Sequence, residues 1–255
     1  MIEWRVILDG NQEPAYNMKL DEAILHAVIS GESPPTIRFY GWTSDAITVG
    51  YHQRPEKVLD LQRAEAAGIK IITRPTGGRA VLHGNDLTYS ISAPTGFFRG
   101  AGITESYRVL SEALAAGLAE AGIDVTLARG QGSGHAPGPK PCFASTARYE
   151  LTWKGMKLVG SAQRRIRDGI LQQGSIPLRD GVVDMWDLLP PAIRSRVERS
   201  PWATIEEILG TTVDREEIAR SVSSGFCRHL GVSILEIDPS ESEIEYALGK
   251  TDKTK

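Results

Sequence analysis

The stretch that most limits how this chain can fold runs from Ile71 to Ser92: I-I-T-R-P-T-G-G-R-A-V-L-H-G-N-D-L-T-Y-S-I-S. A β-branched run at Ile69, Ile71 and Ile72 ends in an Arg-Pro-Thr-Gly-Gly-Arg turn. A second apolar run, Ala80 to Leu82, leads to a polar tip at Gly84-Asn85-Asp86. Leu87, Tyr89 and Ile91 then alternate with Thr88, Ser90 and Ser92. Strand, glycine loop, strand, turn, strand predicts a hairpin-type layout. Paired glycines between buried runs let a ligand approach the backbone closely, and their N–H groups can cradle an anion or a carbonyl oxygen. The local pattern alone is equally well met by a plain tight turn at Gly77-Gly78. Arg74 and Arg79 favour a ligand, because two guanidinium groups beside such a nest suit phosphate or carboxylate.

Composition narrows the classes. A chain of 255 residues makes one large domain, or a main domain with a small appendage. Its 41% hydrophobic and 24% charged residues supply a sizeable core and do not read as disorder. A net charge of -3 gives no overall basic field for nucleic acid. No apolar stretch approaches the roughly 20 residues that span a bilayer. Met1-Ile2-Glu3-Trp4-Arg5 lacks a basic region followed by an apolar core, so no signal peptide is expected. Two cysteines, Cys142 and Cys227, cannot make a disulfide framework. The expectation is a cytoplasmic protein with reduced thiols, and nothing demands more than a monomer.

Periodicity places the elements. Trp4 to Leu8 reads as a strand. Asn17 is positioned to cap a helix with the stripe Leu20, Ile24, Leu25 and Val28, ending at Gly31. Thr36 to Tyr40 and Ala46 to Tyr51 are short strands joined by a polar turn, and Pro55 opens a helix stopped by Gly68. After the central stretch, Thr104 caps a helix with Tyr107, Leu110, Leu114, Leu118 and Ala121 on one face. A strand from Ile123 to Leu127 leads into Gly130 to Pro141, which reads as a mobile, low-complexity loop delivering the chain to Cys142. Strands follow at Arg148 to Trp153, Lys157 to Arg164 and Ile170 to Leu178, with Lys154-Gly155-Met156 as a hairpin turn. After Pro190-Pro191 the pattern turns mainly helical. Strands and helices without regular βαβ alternation predict an α+β domain with a mainly antiparallel or mixed sheet flanked by helices. Residues 1–190 would form the main domain and 191–250 a helical extension packed on it.

Beside the glycine loop, two further groups can carry chemistry. Cys142 stands in P-C-F-A-S-T-A-R-Y-E-L after the long polar loop and begins no clear apolar stripe. A buried core thiol is the ordinary fate of a cysteine, and Cys227, between Phe226 and Leu230 in a predicted helix, fits it. Loops held by a rigid scaffold are where reactive side chains sit, which favours Cys142 as reactive. Lys157 opens G-M-K-L-V-G-S-A-Q-R-R, where the small residues Gly160 and Ala162 beside Val159 permit close approach. A lysine at a strand start is usually a solvated edge charge. Folded beside Cys142 it would instead favour thiolate, and the pair could do nucleophilic and general acid/base work on a thioester. The five histidines show no metal spacing. No G-x-x-x-x-G-K-[ST] loop and no G-x-S-x-G elbow occurs.

The runs R-P-T-G-G-R-A-V-L-H…L-T-Y-S, P-C-F…Y-E-L, G-M-K-L-V-G-S-A-Q-R-R and I-L-Q-Q-G-S-I-P-L follow one another from Arg74 to Leu178. In that order they resemble the lipoate–protein ligase and octanoyltransferase family. The resemblance covers most of the chain, with the part after Pro190 least distinctive. It implies the biotin/lipoate–protein ligase catalytic fold, related to class II synthetases, and a medium-chain acyl substrate. It places Arg74, Thr76, Gly77, Gly78, Arg79, His83, Val159, Gly160 and Ala162 at the acyl pocket. ATP-dependent members carry a third glycine where this chain has Arg79, and a polar residue in the region of Cys142. By both marks the chain is similar to the octanoyltransferase branch. That branch implies octanoyl-acyl carrier protein as donor, Cys142 as nucleophile and Lys157 as the motif lysine. The implied acceptor is a lysine on a lipoyl domain such as the glycine cleavage H protein.

No cofactor is then needed, since thioester to amide runs downhill. Arg164 and Arg165, with Arg74, are positioned to meet the acidic carrier or to be ordinary surface charges. The alternatives are an ATP- and Mg²⁺-dependent ligase that would not depend on Cys142, an amidotransferase between lipoyl-bearing proteins, and a non-catalytic acyl-sensing module. Chain-length preference would follow pocket depth, which packing decides.

Overall fold

Leu87, Tyr89 and Ile91 alternate with Thr88, Ser90 and Ser92 in a strand that is buried on both faces, and the molecule is layered around it. The computed structural model describes residues 2–98, 101–128, 149–196 and 202–250. Among these, a large sheet takes β1 (Glu3–Gln12), β2 (Thr36–Trp42), β6 (Asp86–Pro94), β7 (Thr126–Leu127), β8 (Leu151–Trp153), β9 (Met156–Ile166), β10 (Gly169–Pro177) and β11 (Ser233–Glu236). A small sheet takes β3 (Ala46–Val49), β4 (Lys70–Thr73) and β5 (Val81–His83). The large sheet runs β11-β1-β2-β6-β10-β9-β8-β7, and the small one β4-β3-β5. β1 pairs parallel with both β2 and β11, and the other pairs of the large sheet are antiparallel. The mixed α+β sheet expected from the sequence is present.

The hairpin-type layout expected around the glycine turn is not. β4 and β5 do not pair with each other: β3 lies between them, parallel to β4 and antiparallel to β5. β6 leaves for the large sheet, and the two short strands expected to be joined by a polar turn part likewise, β2 in the large sheet and β3 in the small one. The chain therefore crosses between sheets twice, once on each side of the glycine turn. Strand pairing is decided by tertiary partners as much as by turn chemistry.

One face of the large sheet carries α4 (Ile103–Glu120) and α7 (Arg215–Leu230). Leu110, Leu114 and Leu118 of α4 and Val222 and Phe226 of α7 pack with Trp4, Phe39, Tyr89 and Ile91. The two helices cross at glycines, because a Cβ on Gly225 would lie 2.7 Å from Gly117 Cα. Cys227 lies in this core, 1% exposed, and burial pushes its thiol up to about 11, as fits a structural cysteine.

The other face carries α1 (Pro14–Ser30) and the small sheet, the latter flanked by α2 (Pro55–Val58) and α3 (Leu61–Ala66). α1 starts three residues before the expected cap at Asn17. Pro14 presets the first helical φ, and the Glu13 carboxylate accepts from the Ala15 and Tyr16 N–H groups. Asn17 is buried instead, its amide donating to Gly41 O at 3.0 Å. α4 likewise starts at Ile103, with Gly102 rather than Thr104 at its N-cap. Beyond residue 190 come α5 (Pro191–Arg194), α6 (Ile205–Leu209) and α8 (Glu241–Ala247) besides α7 and β11. α8 is locked to the sheet by a buried pair, Arg5 to Glu243 at 2.6 Å.

Candidate active site

The glycine turn is built around one side chain. Arg74 is buried, and its guanidinium gathers backbone carbonyls: Nε and Nη2 donate to Gly77 O at 3.0 and 2.6 Å, Nη2 to Arg79 O at 2.7 Å and Nη1 to Thr48 O at 2.9 Å. A planar fork of five N–H groups suits this task. The two arginines expected to face an anion are therefore not alike: Arg74 shapes the loop, and Arg79 is half-buried. Gly78 has φ +85°, and a Cβ there would stand 2.7 Å from Arg74 Nη2 and 3.2 Å from the Ala162 methyl. The turn thus lies directly on β9. Arg164 clamps it from outside, donating to Pro75 O at 2.9 Å with its guanidinium 3.8 Å above the Tyr51 ring.

Thr76 is fully buried and donates to Gln173 Oε1 at 2.8 Å. The Gln173 amide donates in turn to Asp21 Oδ2 at 2.7 Å. Asp21 also accepts from Arg38 at 2.8 Å, Tyr40 at 2.8 Å and Ser90 at 2.7 Å. Arg38, wholly buried, is answered further by Asp9 at 2.6 Å. Despite desolvation the neighbouring Asp21 charge holds its guanidinium above the ordinary range, while burial and Asp21 push the Tyr40 phenol well up. The polar groups beneath the turn are thus mutually satisfied.

His83 closes the adjoining wall. Its ring lies 2.9 Å from Asp86 Oδ2 through Nδ1 and 2.9 Å from Thr48 Oγ1 through Nε2, and stacks on Trp42 with centroids 4.3 Å apart. Asp86 Oδ2 also accepts from Thr88 and Ser175, each at 2.7 Å. Burial works against its charge, yet His83 and these hydroxyls hold the carboxyl down at about 2.

Between these parts lies a cavity of about 410 Å³, counting the space open to solvent. Of the residues expected at the pocket, Arg74, Gly78, His83, Gly160 and Ala162 line it. Thr76 and Gly77 act from behind as parts of the turn, while Val159 packs into the main core with Leu151 and Leu158. Met18, Tyr40, Trp42 and Gln173 also line the cavity, and sequence reasoning missed them. The signal for Gln173 was the Q-Q-G-S run on a strand, and for Met18 its place on α1.

Lys157 is buried at the start of β9, and its Nζ lies 2.6 Å from Glu150 Oε1. The β8–β9 hairpin turns at Lys154 (φ 48°) and Gly155 (φ 82°), as expected from Lys-Gly-Met, and brings Glu150 back beside Lys157. A surface charge was the ordinary expectation for this lysine; a buried ion pair is what forms. Cys142 lies outside the described residues. Among the described residues no three His, Cys, Asp or Glu side chains are grouped to hold a metal ion, and no helix is long and apolar enough to cross a membrane.

A mixed sheet with a small sheet set against it, an arginine-shaped glycine turn and an apolar cavity between them make up a built pocket in a catalytic-domain fold. The chain belongs to the lipoyl protein ligase A/B catalytic domain family, whose model matches residues 13–227. It is 38% identical over 256 residues to the octanoyltransferase LipM of Kyrpidia tusciae, covering 96% of this chain and 92% of that protein. It is 34% identical over 255 residues to the octanoyltransferase LipM of Bacillus subtilis, with 95% and 92% covered. A lipoate-protein ligase A bound with ATP superposes with a TM-score of 0.77 at 22% identity, covering 98% of this chain and 94% of that one. The bipartite lipoate protein ligase of Thermoplasma acidophilum gives 0.77 at 21%, with 98% and 92% covered. These two share the fold.

Proposed function

We propose that this chain is an octanoyltransferase of protein lipoylation. It would take an octanoyl group from an acyl carrier protein thioester and pass it to a lysine of a lipoyl domain, such as the glycine cleavage H protein. The observation that carries this reading is the apolar cavity between the glycine turn and β9, in a chain more than a third identical to octanoyltransferases over nearly all of its length. The cavity suits a medium acyl chain: glycines at 78, 160 and 174 and Ala162 leave room for it, and Trp42, Tyr40 and Met18 wall it with apolar surface.

In the proposed mechanism the Cys142 thiolate attacks the donor thioester. The carrier thiolate leaves and takes up a proton, and the enzyme holds the octanoyl group as a thioester. The neutral amine of the acceptor lysine then attacks that carbonyl, an amide forms, the C–S bond breaks and the thiol is restored. Lys157 handles the protons, positioned by the Glu150 carboxylate at 2.6 Å. The same ion pair is buried at the start of the strand that carries Gly160. No nucleotide enters either step.

Intact mass spectrometry tests it. Mixing the protein with octanoyl-acyl carrier protein without ATP should add one octanoyl mass. The adduct should be missing in Cys142→Ala, removed by hydroxylamine and discharged by a lipoyl domain. Transfer that appears only with free octanoate and ATP would replace this reading by an adenylating ligase.

A further inference from the structure

The cavity runs across the large sheet, from Gly160, Ser161 and Ala162 on β9, past Gln173, Gly174 and Ser175 on β10 and Thr88 on β6, to Tyr40 and Trp42 on β2. Those are three inter-strand steps, roughly 14 Å at about 4.8 Å each. Lys157 lies on β9 and the glycine turn touches Ala162, so the reacting end belongs at β9 and the methyl end of a chain lies toward β2.

At that far end the walls are stiff. The Tyr40 phenol donates to Asp21 at 2.8 Å, and the Arg38 guanidinium sits 4.0 Å from its ring centre. The Trp42 indole donates to Thr88 at 2.8 Å and stacks on His83, itself held by Asp86 and Thr48. Gln173 is tied through both amide atoms, to Thr76 and Asp21. Met18 differs. Its only polar contact among the described residues is a 3.6 Å approach of the Gln173 amide to its sulfur, and it packs on Tyr40, Trp42 and Ala46. A thioether on three rotatable bonds fills a gap and yields easily. Its backbone does not yield, because Asn17 is bonded to Gly41 and Asp21 to the network on either side of it.

We propose that Met18 is the gauge that sets how long an acyl chain the cavity accepts, a role that presupposes the acyl-transfer reading above. Met18→Ala removes Cγ, Sδ and Cε from the far end and lengthens the slot; Met18→Phe shortens it. One methylene in a fitted apolar pocket is worth about 10- to 200-fold in discrimination.

The test compares hexanoyl, octanoyl, decanoyl and dodecanoyl carrier thioesters as donors. The ratio of kcat/KM for decanoyl over octanoyl should rise at least about 10-fold in Met18→Ala, and Met18→Phe should shift the optimum toward hexanoyl. Thermal stabilisation by free fatty acids of the same lengths should show the same re-ranking without turnover, and also reports whether each variant is folded. An unchanged chain-length ranking in both folded variants, with octanoyl transfer intact, overturns the gauge and leaves the transfer reading standing. Re-ranked fatty-acid binding in a protein that transfers from no thioester does the reverse.

Discussion

Arg38 and Arg74 are both buried, and they are answered by different chemistry. Arg38 meets the carboxylates of Asp9 and Asp21 at 2.6 and 2.8 Å and ties α1 to the large sheet. Arg74 turns Nε and Nη2 toward the carbonyls of Gly77 and Arg79, backbone acceptors in a turn outside the strand ladders, and Nη1 toward Thr48 O on the neighbouring β3. The first arrangement fixes where elements stand relative to one another. The second fixes the shape of the Arg74–Arg79 turn, whose Arg74 and Gly78 line the cavity. One arginine therefore belongs to stability and the other to preorganisation, and substitutions should separate the two.

The largest loss of stability is expected from Arg38→Met, which strands Asp9 and Asp21 beneath α1. Breaking one side of a buried pair costs about 3–5 kcal/mol, readable as a lower urea midpoint; an unchanged midpoint would erase the contrast. Gly78→Ala should cost less stability, about 1–2 kcal/mol for an L-residue held at positive φ. It should cost about 100-fold in octanoyl transfer, because the new methyl displaces Arg74 and with it the turn. Arg74→Lys, which keeps the charge but loses the fork, should follow Gly78→Ala and not Arg38→Met: transfer falls while the melting temperature moves little.

A fourth test uses pH on the His83–Asp86 wall of the cavity. The Asp86 carboxyl is depressed from 3.8 to about 2 in the folded state. Its contribution is therefore fully present above the unfolded value and is lost as pH falls from about 4 through about 2. That displacement corresponds to on the order of 2 kcal/mol, and Asp86→Asn should flatten this part of the acid-unfolding profile. If the variant loses stability with pH as steeply as the parent, another carboxylate is responsible; the buried Glu243, also depressed, is the control. The smallest effect is expected for Glu216→Gln. Its partner Arg220 also reaches Glu236 on the surface, and exposed pairs contribute little, so neither melting temperature nor transfer should change.

Much of the site's vocabulary was legible in the chain. Gly77-Gly78 does form a backbone feature at the cavity, Lys154-Gly155 does turn a hairpin, and Cys227 is a core thiol. Each follows from the residue types themselves: glycine tolerates positive φ, and a thiol amid Phe226 and Leu230 has nowhere polar to go. The relations between segments were less legible. Arg74 looked like an anion ligand because a guanidinium suits phosphate and backbone carbonyls alike, and local sequence does not tell which is nearby. Thr88 and Ser90 alternate with apolar residues, and local sequence does not say that Asp86 and α1 cover that polar face. Met18 lay outside the apolar stripe read on that helix and was not singled out.

By itself the sequence determined most of the elements, the positions of the glycines and the family to which the chain belongs, and it named a candidate nucleophile and lysine. These depend on spacing within a few residues or on motifs read in order. The one helix expected from Pro55 to Gly68 is instead two, α2 and α3, broken at Leu59-Asp60 where the backbone is extended. Tertiary structure alone decided that β3 separates β4 from β5, that Glu150 meets Lys157 in the interior, and that Met18 lines the cavity. The physical reason lies in sequence distance. Thr76 and Gln173 are 97 residues apart and Gln173 and Asp21 are 152 apart, so nothing local to any of them names its partner. Each of these three buried side chains had to find a bond, and the folded chain supplied the one within reach.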